Sequence, residues 1–496
     1  MEDTTSPKRQ WFLPSVSVLV FILVFWISLV FMPQMLNGDG DLGRHLTMGQ
    51  YILDQRAIPT TDVFSHTMHG RFMVPHEWLS QLGFALAYGG AGLNGIAWLT
   101  AVLIAATYAI TTITLQRVGV RALLALAGGL FASMVGAIHT LTRPHLFTLL
   151  FFALALLILE TYRQQPKART LLWLLPLFLV WTNTHGAFIA GLMLVLFYAL
   201  GALLERAWAT AVTLLAAFGL LILVSLLNPV GVALLQNSFA YLQEDFLVSM
   251  TNEYRSPNFH QYSAWPFAAL LLGSLGFGWL SGRRLAWTPL LLLLIWTAFA
   301  LYSARNIPLY ALVAIVVLLP EVDGWVDGVW PSLGNFLTGT DAAARPTWGW
   351  MWAVVVVLAV AWAQANGAKL DIFRAGNTFS ERQFPITAVD AIRADLPAGN
   401  MFNEFHWGGY LLHRLWPEKQ VFIDAQTDFY GEALTREFIQ IADAQAGWQE
   451  RLAARDVQWV ILPPERPLAA WLAQSPAWAE VYRDDTAVIW VRQAGE

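Results

Sequence analysis

Asn37-Gly38-Asp39-Gly40-Asp41 stands just past the first long apolar run of the sequence, Trp11 to Met32. Two carboxylates one residue apart therefore lie where a membrane helix should emerge into water. Such side chains can hold a divalent cation through hard oxygen ligands, or one of them can accept a substrate proton. The glycines let the backbone approach a phosphate-bearing ligand closely. The ordinary structural role of this stretch is a polar turn, with Asp41 as the N-cap of a helix that begins at Leu42.

The composition of the chain indicates an integral membrane protein. Of the 496 residues, 57% are hydrophobic and only 13% are charged, whereas soluble domains are about 25% charged. The net charge is −5, and no basic surface suited to nucleic acid is evident. The chain has no cysteine, which excludes disulfides and thiolate metal sites. A sizeable domain outside the cytoplasm without disulfides is typical of a bacterial protein.

Hydropathy predicts about eleven membrane spans, because each span needs roughly 20 apolar residues. The predicted spans are 11–32, 93–115, 121–138, 146–162, 170–184, 186–204, 208–227, 264–281, 285–303, 306–320 and 348–366. The first run is too long for the apolar core of a signal peptide, so we expect a retained signal anchor. The break at Thr182–Gly186 fits either two spans or one helical hairpin that dips into the membrane. The amphipathic stretch Trp78 to Ala87 is predicted to lie along the interface.

The distribution of lysine and arginine predicts the orientation. With a cytoplasmic N-terminus, most of these residues before position 367 fall in short inner connections, as the positive-inside rule requires. An odd number of spans then places residues 367–496 outside the cytoplasm, after a transmembrane domain of residues 1–366 whose first outer loop is 33–92. In 367–496, strand-like and helical runs alternate, which is typical of a small α/β domain. We therefore expect a polytopic α-helical protein of a bacterial inner membrane with a C-terminal extracytoplasmic α/β domain.

Charged and imidazole side chains concentrate on the predicted outer side. They are Asp39, Asp41, His45, His76 and Glu77 in the first outer loop, Arg143 and His145 in the next turn, His185, Glu253 and Arg255 further along, and Arg305. Such groups are costly near a bilayer unless they line an aqueous cavity. Their one-sided clustering therefore predicts a functional site on the outer side.

The residue types suggest different roles within this site. Asp39 and Asp41 are candidate catalytic acids and candidate ligands for a divalent cation. Three arginines at outer helix ends are candidate phosphate ligands, because a guanidinium presents forked donors to phosphate oxygens; they are Arg143, Arg255 and Arg305. Their ordinary role is snorkelling, or pairing with Glu253 and Asp41. The candidate supporting residues are His45, His76, Glu77, His145, His185 and Glu253, although a lone histidine at a helix end more often has a structural role.

Two stretches of the C-terminal part, Asn403–Tyr410 and Val421–Tyr430, are predicted to end strands with polar and aromatic groups. Strand ends are where α/β domains present ligands. The ordinary reading is strand-to-helix turn chemistry, with Asp428 as a cap. The pair His76-Glu77 lacks the second histidine of a His-Glu-x-x-His helix, which excludes a zinc protease of that type.

Taken together, these features resemble the GT-C superfamily of membrane glycosyltransferases, which includes oligosaccharyltransferases, protein O-mannosyltransferases and lipid A aminoarabinose transferases. Over nearly the whole chain, the sequence looks like a bacterial family of GT-C-like membrane proteins. The segments that carry this resemblance are Asp39-Gly-Asp41-Leu-Gly-Arg-His45-Leu, Ile58-Pro-Thr-Thr-Asp62-Val-Phe-Ser65, His76-Glu-Trp-Leu, Thr142-Arg-Pro-His145, Trp181-Thr-Asn-Thr-His-Gly186, Trp407-Gly-Gly-Tyr410 and Phe422-Ile-Asp424. Trp407-Gly-Gly-Tyr410 lacks the acid of the oligosaccharyltransferase Trp-Trp-Asp-Tyr-Gly signature, so N-glycosylation of protein sequons is not supported.

The resemblance implies that a loop acid, Asp39 or Asp41, acts as a base or metal ligand, and that the donor is a polyprenyl-phosphate-linked sugar. A divalent cation, Mg²⁺ or Mn²⁺, is the candidate cofactor, and the acceptor would be a glycan, a lipid or a protein. Two other classes stay open. A non-catalytic subunit could keep the fold to scaffold partners. A lipid-linked saccharide transporter would need ionisable residues deep in its spans, and the predicted spans are nearly free of charge except at their ends.

Overall fold

The computed structural model describes residues 12–241, 246, 252–341 and 348–493. Its N-terminal part is helical, and the helices there are α1 (Val16–Val30), α2 (Met32–Asn37), α3 (Asp41–Gln55), α4 (Trp78–Arg117), α5 (Ala122–Gly136), α6 (His145–Gln164), α7 (Ala168–Leu171), α8 (Leu174–Thr184), α9 (Phe188–Leu204), α10 (Trp208–Ser225), α11 (Val232–Tyr241), α12 (Trp265–Ser281), α13 (Trp287–Tyr302), α14 (Ile307–Val329), α15 (Pro331–Asp341) and α16 (Met351–Ala365). Short 3₁₀ turns at Ala137–His139, Asn252–Tyr254 and Ala304–Asn306 lie between them.

Apolar helices of this part account for the predicted spans. Among the described residues, six helices are long and apolar enough to cross a membrane, and four shorter apolar helices, α1, α9, α13 and α16, have 15 to 17 residues. Each of the ten corresponds to a predicted span, and the segment 170–184 is divided between α7 and α8. The protein is therefore a multi-pass helical membrane protein. Residues 1–11, which include the start of the first predicted span, lie outside the described part.

Two predicted boundaries differ from the structure. The interfacial stretch Trp78 to Ala87 is the beginning of α4, which continues through a kink at Ala91 and Gly92 into the next span. The kink falls at a glycine with a positive φ of 59°, a conformation that glycine adopts without steric cost. The predicted span 306–320 is shorter than its helix, because α14 runs past Pro320 to Val329.

Small residues let α4 and α5 pack closely. A Cβ at Gly129 would collide with the Thr112 hydroxyl, and a Cβ at Gly136 would collide with the Tyr108 hydroxyl. Close backbone approach at small residues is a usual way to pack helices in membranes. This packing fixes the end of α5, and hence the turn that leads to Arg143.

The C-terminal α/β domain consists of α17 (Ile386–Ile392), β1 (Asn400–Asn403), α18 (Gly408–Leu415), α19 (Thr427–Ala442), α20 (Trp448–Ala454), β2 (Val457–Leu462), α21 (Pro467–Leu472), β3 (Trp478–Arg483) and β4 (Val488–Arg492). The sheet order is β1-β2-β4-β3. Strands β1 and β2 are parallel, with Asn403 opposite Ile461, and the other two pairs are antiparallel. The α/β prediction is thus confirmed.

The prediction that the stretch Val421–Tyr430 ends a strand was wrong. Val421 forms only an isolated bridge with Ser65 of the first loop. Its amide donates to Phe64 O at 3.1 Å, and its carbonyl accepts from His66 N at 3.1 Å. This segment therefore joins the C-terminal domain to the first loop instead of extending the sheet.

The C-terminal domain also packs directly on α3. A Cβ at Gly40 would collide with His406 O, and a Cβ at Gly43 would collide with Gly409 O. The expectation that Gly40 opens the backbone to a phosphate was therefore wrong, because the domain fills that space. Asn37 adds hydrogen bonds to Thr378 O at 3.0 Å and from Ser380 N at 2.8 Å.

Candidate functional site

Arg143 contacts three carboxylates that come from distant parts of the sequence. Its Nε lies 2.5 Å from Asp39 Oδ2, its Nη2 2.9 Å from Asp41 Oδ2, and its Nη1 3.2 Å from Glu253 Oε1. All four side chains keep a small exposed fraction, between 14% and 19%. We name Arg143, Asp39, Asp41, Glu253 and Arg305 the Arg143 cluster.

Local backbone geometry positions the two aspartates. Asp39 Oδ1 accepts a hydrogen bond from Asp41 N at 2.8 Å, which is an Asx turn that starts α3. Asp41 is therefore the first helical residue and Gly40 the N-cap, so the assignment of Asp41 as the cap was wrong. The amide of Thr142 donates to Met35 O at 3.1 Å. This bond holds the Arg143 turn against α2, and the guanidinium thereby reaches both acids.

Glu253 is held from the other side by the turn that precedes α14. Ser303 Oγ donates to Glu253 O at 3.1 Å, and Arg305 Nη1 lies 3.8 Å from Glu253 Oε1. The Arg305 guanidinium donates to the Tyr254 hydroxyl and lies over that ring, 4.8 Å from its centroid. The structure thus brings two of the three predicted phosphate ligands, Arg143 and Arg305, into one cluster.

Arg255 is placed differently from the other two arginines. Its carbonyl accepts a hydrogen bond from Ala304 N at 2.9 Å, which keeps the backbone beside the Arg305 turn. Its side chain, however, is exposed. It therefore serves as a useful comparison for the partly buried Arg143.

Burial and charge separate Asp39 from Glu253. Burial raises the pKa of Asp39 to about 6. The positive charge of Arg143 opposes this shift only in part, and the negative charge of Asp41 adds to it. Burial also favours the neutral form of Glu253, but Arg305, His139 and Arg143 outweigh it and lower its pKa. A carboxylate with a pKa near the working pH is the more effective general base. Asp39 is therefore the better candidate for proton transfer.

The predicted Mg²⁺ or Mn²⁺ site does not fit this arrangement. The guanidinium of Arg143 lies between Asp39 and Asp41 and contacts both. Within the part of the chain that the structure describes, no group of three or more His, Asp or Glu side chains is arranged to hold a metal ion. A divalent cation would have to displace Arg143 to reach both carboxylates.

A second polar group surrounds Glu77, at the start of α4. Three histidine nitrogens approach its carboxylate: His185 Nε2 at 3.6 Å, His45 Nδ1 at 3.7 Å and His76 Nε2 at 3.8 Å. These distances exceed those of hydrogen bonds, so the contacts are electrostatic or bridged by water. We name these four residues the Glu77 cluster. His76 Nδ1 also lies 3.8 Å from Asp428 Oδ2 of the C-terminal domain.

Two histidines of this cluster differ in their electrostatics. Burial lowers the pKa of His45, although Glu77 and Asp41 oppose it. Burial acts in the same direction on His76, but Glu77 and Asp428 outweigh it, so the pKa of His76 is raised. At a given pH, His45 is thus protonated less readily than His76. The ring of His145, the remaining predicted histidine, lies 4.4 Å from the ring of His139.

Sequence reasoning missed the buried ion pair between Arg44 of α3 and Asp424. Their side chains are 4% and 0% exposed, and the Tyr430 hydroxyl donates to Asp424 Oδ2 at 3.0 Å. The two residues are 380 positions apart, and no local pattern links them. This pair fixes α3, which begins with Asp41, to the C-terminal domain.

Arg44→Met is expected to destabilise the protein by about 3–5 kcal/mol, because it leaves the Asp424 charge buried without its partner. A lower thermal unfolding temperature of the purified protein in detergent measures this. The control is Arg393→Met, which breaks an exposed pair with Glu418 and should cost only about 0–1 kcal/mol. Equal unfolding temperatures for the two variants would show that the buried pair does not stabilise the domain contact.

Solved structures of membrane proteins share this architecture. The Archaeoglobus fulgidus oligosaccharyltransferase, crystallised with a tethered acceptor peptide, matches with a TM-score of 0.62 and 10% identity over 90% of this chain and 69% of its own. AglB from the same organism, in complex with an inhibitory peptide and a dolichol-phosphate, matches with a TM-score of 0.59 and 11% identity over 90% of this chain and 69% of its own. ArnT from Cupriavidus metallidurans, bound to undecaprenyl phosphate, matches with a TM-score of 0.52 and 14% identity over 96% of this chain and 98% of its own.

No protein-family model and no curated protein matches the sequence. At 10–14% identity the likeness concerns the fold, and the relatives' substrates do not follow from it. The matching structures are GT-C glycosyltransferases that cover nearly all of the chain. The chain therefore has the GT-C-like fold of the membrane glycosyltransferases.

Proposed function

We propose that this protein is a membrane glycosyltransferase that moves a sugar from a polyprenyl-phosphate-linked donor to an extracytoplasmic acceptor. The observation that carries the proposal is the contact of one guanidinium, Arg143, with both Asp39 and Asp41 in a partly exposed cluster. The fold supports the same class, since structures with this fold hold dolichol-phosphate or undecaprenyl phosphate.

Arg143 and Arg305 are the proposed ligands of the donor phosphate. The guanidinium of Arg143 now donates to carboxylates, and phosphate oxygens accept from the same forked geometry. Donor phosphate would therefore compete with Asp39 and Asp41 for Arg143. Arg305 adds a second positive charge next to Glu253.

Asp39 is the proposed general base. When the donor phosphate engages Arg143, Asp39 loses its charge partner and becomes more basic. Its carboxylate accepts the proton of the acceptor hydroxyl or amine while the acceptor atom bonds to the anomeric carbon. The bond from that carbon to the phosphate oxygen breaks, and its electron pair leaves with polyprenyl phosphate. The reaction inverts the anomeric configuration, and catalysis rests on positioning and charge neutralisation.

We also propose the predicted topology for this function, with residues 1–366 in the membrane and 367–496 outside the cytoplasm of a bacterial cell. Both polar clusters lie at helix ends that the positive-inside rule assigns to the outer side. At the other end of α5, Arg121 pairs with Asp323 and, at 2.8 Å, with Asp327. An arginine at that end of α5 is what the positive-inside rule expects of the inner side.

The proposal is tested by supplying a polyprenyl-phosphate sugar, labelled in the sugar, to the purified protein in proteoliposomes with an extract of envelope acceptors. Wild-type protein should form a labelled product and release polyprenyl phosphate. The exposed-site variant Arg393→Met should behave like the wild type. Donor binding without any product or released lipid phosphate would contradict the proposal and favour a non-catalytic scaffold.

The rate of transfer is expected to depend on pH through Asp39. Its pKa of about 6 means that Asp39 is mostly ionised at neutral pH and becomes protonated in acid, when it can no longer accept a proton. The value of kcat/KM should therefore fall about tenfold per pH unit below pH 6. A profile that is flat from pH 7 to pH 5 would exclude Asp39 as the base.

A further inference from the structure

A cavity of about 340 Å³ lies between the first loop, α11 and the C-terminal domain. Its polar and aromatic lining comes from all three: Phe72, Gln236, Asn237, Gln426, Asp428 and Phe429. The volume falls within the range of small-molecule sites, roughly 300–1,000 Å³. The mechanism proposed above does not use this cavity.

The lining has the chemistry that binds uncharged sugars. The phenyl rings of Phe72 and Phe429 offer apolar surface to the C–H face of a sugar ring. Three carboxamides both donate and accept hydrogen bonds, and the Asp428 carboxylate accepts. Among the residues that the structure describes, no lysine or arginine lines the cavity, so a phosphate or another anion would lack a partner there and would meet the charge of Asp428.

Gln426 supplies an independent sign of a polar ligand. Its backbone N–H donates to Asp424 Oδ1 at 2.9 Å, which fixes the loop before α19. Its side-chain oxygen is buried and accepts no hydrogen bond from any residue that the structure describes. A buried acceptor without a donor is costly. Because the Gln426 side chain lines the cavity, a small rotation of its carboxamide would present this oxygen to a hydroxyl group of a ligand.

Polar groups connect the cavity to the reaction centre. Asp428 in the cavity wall lies 3.8 Å from His76, which lies 3.8 Å from Glu77. Glu77 lies 3.7 Å from His45, one helical turn after Asp41 on α3. These contacts therefore link the cavity wall to α3, the helix that begins at Asp41.

We propose that this cavity binds a sugar ring of the acceptor, so that the acceptor is a glycan. The role of this sugar as the acceptor rests on the function proposed above, whereas its binding in the cavity does not. Phe72 and Phe429 stack on the ring, and the Gln426 oxygen and Asp428 accept hydrogen bonds from its hydroxyls.

The absence of cysteine allows a direct test of binding. Gln236 is exposed at the cavity, so the variant Gln236→Cys carries a unique thiol there. In the full-length protein in nanodiscs, the rate of maleimide labelling is measured with chitobiose, lactose or maltose, with the peptide Asn-Val-Thr, and with glycerol 3-phosphate. The control is Ser332→Cys, an exposed position on α15.

A disaccharide at ten times its Kd should slow labelling of Cys at position 236 about tenfold, since the free fraction falls as 1/(1 + [L]/Kd). Labelling at position 332 should not change. Adding Phe429→Ala should abolish protection, whereas Phe336→Ala, an exposed ring on α15, should not. Protection by the peptide or glycerol 3-phosphate alone, or by none of the probes, would overturn the proposal.

The assay needs neither donor nor turnover, so the two proposals fail separately. Sugar protection in a protein that never releases polyprenyl phosphate would keep the cavity assignment and reject the glycosyltransferase. Transfer activity without sugar protection would keep the enzyme and reject this cavity as the acceptor site.

Discussion

Asp39→Asn is expected to reduce sugar transfer by about 10²–10⁴-fold, the usual contribution of a positioned general base. The amide keeps the shape of the carboxylate and can still accept from Asp41 N, the bond that starts α3. It cannot accept the acceptor proton at neutral pH. The measurement is the turnover rate of labelled donor in proteoliposomes, with donor binding measured separately.

The variant should remain folded. Because burial raises the pKa of Asp39 to about 6, its contribution to stability is fully present below its ordinary pKa and is lost as the pH rises through 6. At neutral pH the buried charge of Asp39 costs stability, so replacing it with a neutral amide should not destabilise the fold. Asp41→Asn is the matched comparison, since Asp41 also contacts Arg143. Loss in Asp41→Asn with full activity in Asp39→Asn would reverse the assignment, and full activity in both would reject the acid-centred mechanism.

Arg143→Gln is expected to weaken donor binding and to lower kcat, together by at least about 10²-fold, since a preorganised donor to a developing charge contributes on that order. The change removes the guanidinium proposed to bind phosphate. It also leaves Asp39, Asp41 and Glu253 facing one another without the cation that contacts all three. Like charges at short range repel the incoming phosphate as well.

The comparison with Arg255→Gln makes this prediction specific. Arg255 has the same side chain on the same side of the protein, but it is exposed, so its loss should change the apparent Kd for donor far less. Arg143→Lys should restore only part of the activity, because an ammonium group cannot form the forked contacts of a guanidinium. Equal losses in Arg143→Gln and Arg255→Gln would indicate a diffuse electrostatic effect in place of a defined phosphate site.

The membrane part could be predicted well from the sequence because its physical constraint is simple. A span requires a long apolar segment, and ten predicted spans correspond to apolar helices of the described structure. The pairing of Arg143 with Asp41 and Glu253 was also among the expectations, as the ordinary role of the arginine, and the structure shows these contacts. The one-sided pattern of polar residues, rather than any motif, indicated that these groups would meet.

Features that depend on distant partners could not be predicted in the same way. The pairing of Arg44 with Asp424 links positions 380 residues apart. The segment around Val421 is as apolar as a strand, yet its partner is the first loop. Strand β3 escaped prediction because it lies at the sheet edge and its side chains are only partly buried or exposed, which removes the alternation that marks a strand. The Glu77 cluster needs α3, the start of α4 and the end of α8 to converge, and no single stretch of the sequence shows that.

The most direct test of the central claim is the position of the lipid phosphate in a cryo-electron microscopy structure of the protein with bound polyprenyl phosphate. We expect the phosphate oxygens to lie within hydrogen-bond distance of the Arg143 guanidinium, near Arg305, with Asp39 released from the 2.5 Å contact it makes here. The claim is contradicted if the phosphate binds elsewhere, for instance beside Arg121 at the other end of α5, while Asp39 and Asp41 keep Arg143.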